Sequence, residues 1–406
     1  MGKVATENTL REGVELLRIL TKGSVNYFEN HKVIQQIVRS GMAQDFFSIG
    51  DQIIETWNDG TTDYDMPMDV VAFQNVVNEN GDSVPGMFLQ SHWVMPGVQF
   101  DASEAIYVTT EALPAGTYNF TIGTNWGTHC VKDKVYQFTT TQEIPAGGQI
   151  MIGKNDDWYT WGAPDVAPTN WKVHTFASNT ATSPLESNLE LTEGSGGAAL
   201  GTITSTQKYS ASGMNNLQRA GYGYNRWSQS GIRQYLNSDA AAGNWWTGKN
   251  PFDRAPQQLA SKQGFMKGLS ADFLEIVQPV KVTTALNTVS DADIGTSEDT
   301  YDRFFLASLE QEYIVPQLDN VEGAYWPYWK ERLGLNSPQV TGSGGTNTNH
   351  IRYSITNHTS AQYVRLRSAH RGYANNTWSV TSTGHAGNYG YAATSAYCPA
   401  PACVIC

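Results

Sequence analysis

From Ser368 to Tyr397 the chain is built almost wholly from Asn, Tyr, Ser, Thr, Ala, Gly and His, broken only by Arg371, Trp378 and Val380. Sequence so poor in apolar residues cannot by itself bury enough surface to offset the entropy lost on ordering. Anchors nevertheless flank it. Leu366 precedes the segment, Trp378 and Val380 lie inside it, and the apolar run Ala402-Cys403-Val404-Ile405 follows. Any fold that holds this stretch must therefore pin it to a core from both sides. The filling is that of evolved binding loops, in which Tyr offers large contact area at low conformational cost and Ser, Asn and Gly supply adaptable hydrogen bonding. A recognition surface on a rigid scaffold is the expectation.

With 406 residues the chain exceeds one ordinary core and points to two or three domains. Its net charge of -12, with no basic stripe, argues against a nucleic-acid partner and against anionic membranes. No stretch approaches the eighteen or so apolar residues of a membrane span, and the N-terminus lacks the apolar core of a signal peptide, so a soluble chain without membrane insertion is expected. Met1 to Thr6 matches the N-myristoylation pattern, which is short enough to arise by chance. Cys130, Cys398, Cys403 and Cys406 are too few for a disulfide framework, leaving packing to supply stability.

Residues 7 to 40 have helical periodicity. Leu10, Val14 and Leu17 share one face with Leu16 and Leu20 beside it, and Val33, Ile34, Ile37 and Val38 form a second. Residues 1–45 are thus an N-terminal helical segment, for attachment or association between subunits or for packing on its own domain. From Phe46 to Ile152 the period changes to two, as in Tyr118, Phe120 and Ile122 alternating with polar neighbours. Leu113-Pro114-Ala115-Gly116 is echoed by Ile144-Pro145-Ala146-Gly147, so residues 46–152 are expected to form a small β-sandwich or jelly roll. In the third region, 153–406, the patterning predicts a helix after the cap residue Asn225, another opened by Ser270, and a strand from Val280 to Leu286. The stretch 177–212 reads as a long exposed loop or hairpin, and 341–349 as a second flexible insert. Tyr325, Trp326, Tyr328 and Trp329 read as core, with a sugar-stacking platform as the alternative. The fold class is α+β.

The blocks Tyr224-Asn225-Arg226-Trp227, Trp245-Trp246, Pro251-Phe252-Asp253-Arg254, Lys281 to Asn287, Phe305 to Glu310 and Val364-Arg365-Leu366-Arg367-Ser368, in that order, resemble a domain of unknown function common in gut bacteria and their phages. With the polar stretch around Trp378 and the closing Cys398 to Ile405, the tail resembles the C-terminal segment of variable proteins of diversity-generating retroelements. The resemblance covers roughly residues 153–406. It implies a C-type-lectin-like fold, also that of formylglycine-generating enzymes, and a surface whose codons are rewritten at adenines. Carried over, it makes His370, Tyr373, Asn375, Asn376, Ser379, Thr381, His385, Asn388, Tyr389, Tyr391, Thr394 and Tyr397 candidate contact positions. Arg365, Leu366, Trp378 and Val380 become scaffold.

Motifs for zinc helices, P-loops, nucleophile elbows and dinucleotide binding are missing from the sequence. Cys398-x4-Cys403-x2-Cys406 has zinc-like spacing, but Cys403 sits in an apolar run where free Cys behaves as a small hydrophobe, so no metal or other cofactor is expected. Trp57-Asn58-Asp59 imitates half of a calcium-dependent sugar site without its partner loop. Asp291-Ala292-Asp293 and Asn155-Asp156-Asp157 read as solvated loop carboxylates. The sequence-level expectation is a non-enzymatic phage protein assembled in the bacterial cytoplasm, displayed on the virion among other virion proteins as a homo-oligomer, a trimer for preference. Its ligand is expected to be a host-surface protein or glycan. The rivals are a capsid or tail decoration protein without a ligand, and an enzyme of the formylglycine-generating type.

Overall fold

The computed structural model describes residues 31–208, 213–341 and 346–406. Helix His31–Arg39 turns Ile34, Ile37 and Val38 into the core, as the second of the two periodic faces requires. The first face, Leu10 to Leu20, lies outside the described residues. In chain order follow β1 (Gln52–Asn58), β2 (Asp63–Val77), β3 (Ser83–Ser91), β4 (Tyr107–Val108), β5 (Gly116–Ile122), β6 (Val135–Thr140), β7 (Gln149–Lys154), β8 (Trp171–Phe176), β9 (Glu186–Glu190), β10 (Thr192–Glu193), β11 (Ala198–Ile203) and β12 (Gly213–Met214). Beyond them come β13 (Val280–Ala285), β14 (Ser297–Asp302), β15 (Phe304–Leu306), β16 (Arg352–Tyr353), β17 (Ala361–Ala369), β18 (Asn376–Val380), β19 (Asn388–Tyr391), β20 (Tyr397–Pro399) and β21 (Pro401–Ile405). The molecule is a β-rich α+β protein.

One sheet, in the order β1-β2-β3-β21-β15, draws its strands from both ends of the chain. Cys403 of β21 pairs with Leu89 on one side and Phe304 on the other. All residues of β21 are buried, which is why this strand reads as a continuous apolar run instead of an alternating one. The expected division at residue 152 is corrected by this pairing. Residues 52–91 share a sheet and a core with the C-terminal region, and β7 runs across the boundary itself. Hydrophobic period tells which face of a strand is buried and carries no information about a partner hundreds of residues away.

A sandwich-like unit does exist, displaced along the chain. Sheets β10-β6-β5-β11 and β12-β4-β7-β8-β9 enclose one core that runs from Ile106 to Ala220. The Tyr136 and Trp171 rings meet across it at 5.2 Å. The unit is thus an insertion within the larger fold. Where the chain enters and leaves it, the fully buried Glu104 and Arg219 form a bidentate ion pair, both contacts at 2.9 Å. Breaking such a pair by removing one partner leaves an uncompensated buried charge, at a cost of about 3–5 kcal/mol.

Local readings fared unevenly. Ser270 caps helix Ala271–Ile276 by accepting from the Phe273 N–H, as expected, and β13 covers the strand assigned from Val280. Trp326, Tyr328 and Trp329 are core, whereas Tyr325 is exposed. The stretch 177–212 is neither one loop nor one hairpin: its Ala198–Ile203 portion pairs in parallel with β5, and β9 and β10 pair with β8 and β6. Ala198, Ala199 and Gly201 have little strand propensity, so tertiary hydrogen bonding decided the conformation of this half of the strand. Of the second expected loop, 341–349, residues 342–345 lie outside the described set, while Thr348–His350 forms a 3-10 turn that buries His350. Asn58 and Asp59 cap a tight turn, accepting from the Gly60, Thr61 and Thr62 amides, and Asp59 pairs with Lys262 at 3.4 Å.

Candidate functional site

The segment 370–397 lies along β18, β19 and β20 in the sheet β16-β17-β18-β19, with β20 running parallel to β17. The β18–β19 register places Trp378 opposite Tyr389 and Asn376 opposite Tyr391. Directly opposed residues share a face, so Tyr389 stands over Trp378. The His370 ring lies nearly parallel to the Trp378 indole at 5.0 Å, and Tyr373 and Tyr389 close on His370 at 4.7 and 4.8 Å. Trp378 is 5% exposed, Tyr373 37% and Tyr389 44%. A buried indole therefore carries a half-buried imidazole, and two phenol rings project to solvent beside it. Burial holds the His370 imidazole below the ordinary histidine range.

The backbone beneath this cluster is clamped. The Asn225 side-chain amide, fully buried, donates to the carbonyls of Tyr373 at 2.7 Å, Asn376 at 2.8 Å and His370 at 3.3 Å. Its oxygen accepts from Asn287, which also donates to Asp291. Gln218 accepts from the Ala374 N–H, and Gln317 accepts from both the Arg371 N–H and the Trp378 indole. Asn225 was expected to cap the following helix. Ser230 caps it instead, accepting from the Arg233 N–H, because the 3-10 turn Trp227–Gln229 delays the helix start. Asp291, expected to be solvated, is buried, accepts from the Tyr224 hydroxyl at 2.5 Å, and has its carboxyl pushed up by that burial. Asp293 fits the solvated reading, pairing with Lys208 at the surface.

A second clamp holds the other end. Arg365, 1% exposed, donates to Thr377, to the Tyr391 carbonyl at 3.1 Å and to the Thr394 carbonyl at 2.7 Å. Its guanidinium sits 4.3 Å over the Tyr397 ring. Desolvation lowers its ionisation to about 10, and among the described residues it has no carboxylate partner. Gly390 is required here, since a Cβ would lie 2.2 Å from the Tyr397 hydroxyl oxygen. The next residues join the inserted unit to the larger one: Ala392 bonds the Phe100 backbone and Ala393 that of Tyr222.

The twelve candidate contact positions separate. Tyr373 and Tyr389 are exposed, and His370 is half-buried with them. Tyr391 and Thr394, half-buried, lie at the junction, while Tyr397 is taken up by Arg365. Asn388 is half-buried and, by strand alternation, points to the opposite face from Tyr389. His385 is half-buried in the turn after β18, its amide accepted by the Thr381 hydroxyl. Asn375, Asn376, Ser379 and Thr381 are buried. They present almost no side-chain surface outward. Residue type marks this whole segment as polar, and only burial separates the outward positions from the inward ones. Gln218 and Gln317 had no sequence signal, being distant polar residues without periodicity, and Asn225 gave only the signal of a helix cap.

All four cysteines are buried and reduced. Burial pushes the Cys130 and Cys398 thiols up to about 12 and the Cys403 thiol well above its usual value. Such thiols stay protonated, and the thiolate is the reactive form. Among the described residues no group of three or more His, Cys, Asp or Glu side chains is placed to hold a metal. Comparison with curated proteins and with solved structures finds no match. The clamps (Gln218, Asn225, Arg365), the display strands and the closing strand all lie within residues 202–405, which match a family described as a domain of unknown function (DUF6273), and the chain belongs to that family.

Proposed function

We propose that this chain is a phage receptor-binding protein displayed on the virion, whose C-terminal region is C-type-lectin-like and presents a surface diversified by a retroelement. The observation that carries the reading is the contrast at 370–391: a backbone held by buried Asn225 and Arg365 and by Gln317 at the surface, bearing exposed Tyr373 and Tyr389 over a buried Trp378. Pre-organised aromatic anchors on a rigid base are what high-affinity recognition needs, since little ordering entropy remains to be lost on binding. A scaffold that holds main chain through main-chain carbonyls also tolerates changes in the outward side chains. The ligand is a host-surface molecule, and copies of the chain, assembled with other virion proteins, add avidity.

A ligand-free decoration protein is the second reading, favoured by the burial of Asn375, Asn376, Ser379 and Thr381. Two measurements separate them. Tyr373→Ala with Tyr389→Ala is expected to abolish retention on host cells while assembly continues; equal retention refutes the receptor-binding reading. The neighbouring DNA is expected to hold an adenine-richer near-copy of the codons for 364–405 beside a reverse-transcriptase gene, and its absence refutes diversification.

A further inference from the structure

The aromatic face of the 370–397 segment continues onto the inserted unit. Tyr391 lies flat on Tyr222, with ring centroids 3.6 Å apart and planes 6° from parallel. The Trp126 and Tyr222 rings meet edge to face, at 6.1 Å and 81°. The Tyr222 hydroxyl donates to one carboxylate oxygen of Asp165. Asp165 is exposed and, among the described residues, its other oxygen has no partner. Trp126 is fixed in place: a Cβ at Gly221 would meet its ring at 2.6 Å, and the Trp126 and Cys130 backbones bond each other. A half-exposed Trp126 ring and an open carboxylate thus flank the buried Tyr222 on which Tyr391 rests, and none of Trp126, Asp165 and Tyr222 belongs to the polar segment.

We propose that the ligand is a neutral, hydroxyl-rich saccharide and that Trp126 and Asp165 of the inserted unit contact it beside Tyr389 and Tyr391, an assignment that rests on the receptor-binding reading above. Sugar rings offer C–H faces that pack on aromatic rings and hydroxyls that donate to a carboxylate. Flat rings next to an acceptor-only group match both features at once. Acidic glycans and phosphorylated headgroups are disfavoured by the carboxylate at the site and by the chain's net charge of -12. The division of labour follows from position. Fixed residues on the inserted unit grip a common sugar unit, and the changeable tyrosines read what lies next to it.

The test applies the full chain to an array of neutral glycans ending in glucose, galactose, mannose or N-acetylglucosamine, with sialylated and sulfated glycans and a bacterial surface-protein extract alongside. Wild type is expected on neutral glycans, with apparent affinity reduced at least about tenfold in Trp126→Ala and in Asp165→Ala, the scale of one lost anchor contact. Asp165→Asn, which keeps an acceptor for Tyr222, is expected to lose less than Asp165→Ala, and an unchanged thermal transition shows that folding is not the cause. Neutral-glycan binding that needs Tyr373 and Tyr389 but is indifferent to Trp126 and Asp165 overturns the extension and leaves the receptor-binding reading standing. Binding to acidic glycans or to the protein extract alone overturns the saccharide assignment. Glycan binding that survives Tyr373→Ala with Tyr389→Ala counts against the reading itself.

Discussion

Replacing Asn225 by Asp exchanges one amide NH2 for a carboxylate oxygen in nearly the same volume, and the structure makes the consequence large. An amide NH2 has two hydrogens, so the contacts to Tyr373 O at 2.7 Å and Asn376 O at 2.8 Å are full hydrogen bonds, and the 3.3 Å contact to His370 O is shared. The Asn376 carbonyl also accepts from the His370 N–H and the His370 carbonyl from the Tyr373 N–H, so Asn225→Ala leaves the Tyr373 carbonyl alone unsatisfied, and one such buried group sets the loss at about 1–3 kcal/mol. Asn225→Asp is expected to be at least as damaging, because an acceptor-only group then faces three carbonyl oxygens, and Asp291 stands on the far side of Asn287. The assay is equilibrium urea unfolding of the full chain, read by tryptophan fluorescence, together with amide exchange of residues 370–376. Faster exchange there is expected even where global stability survives, since the clamp acts on that loop first. If Asn225→Asp costs under about 1 kcal/mol, below the smallest loss expected for one unsatisfied carbonyl, and leaves exchange unchanged, the loop is held by something else and the reasoning is wrong.

Trp378→Ala is expected to cost about 3–5 kcal/mol, as for a large buried aromatic, whereas Tyr373→Ala and Tyr389→Ala are each expected to cost about 0.5 kcal/mol or less; comparable losses in thermal unfolding would erase the distinction between base and display. A pH effect follows from the junction beside Glu104. Burial, with Glu104 next, pushes Asp253 up to about 8, and burial together with Asp253 and Glu104 raises Asp101 well above the usual range. Their folded-state values lie above the unfolded ones, so the native state keeps protons that the unfolded chain has released, and stability falls as pH rises from about 4 to about 8. Urea midpoints at pH 5 and pH 8 are expected to differ in that sense, with Asp253→Asn flattening the slope; an unchanged slope contradicts it.

What the sequence alone determined is local. Periodicity located helix His31–Arg39 and the β5 and β6 strands, a side chain–backbone bond within four residues made Ser270 a cap, and composition singled out 368–397 as polar filling between apolar anchors. These are interactions whose partners lie within a turn or a strand, and residue type suffices to infer them. Tertiary structure decided the rest. β21 was legible as an apolar anchor, but its seat between β3 and β15 was not, and that seat makes the 106–220 unit an insertion instead of the second of three successive domains. The same holds for the surface. Asn376 and Tyr389 are equally plausible contact residues by type, yet strand pairing turns one inward and the other outward. Asn225 was legible as a cap and acts as a clamp on a loop about 150 residues later, because three carbonyls brought together by the fold offer it more than one helix terminus does. Long-range hydrogen bonds and sheet order depend on which segments meet, and that is a property of the whole packed chain.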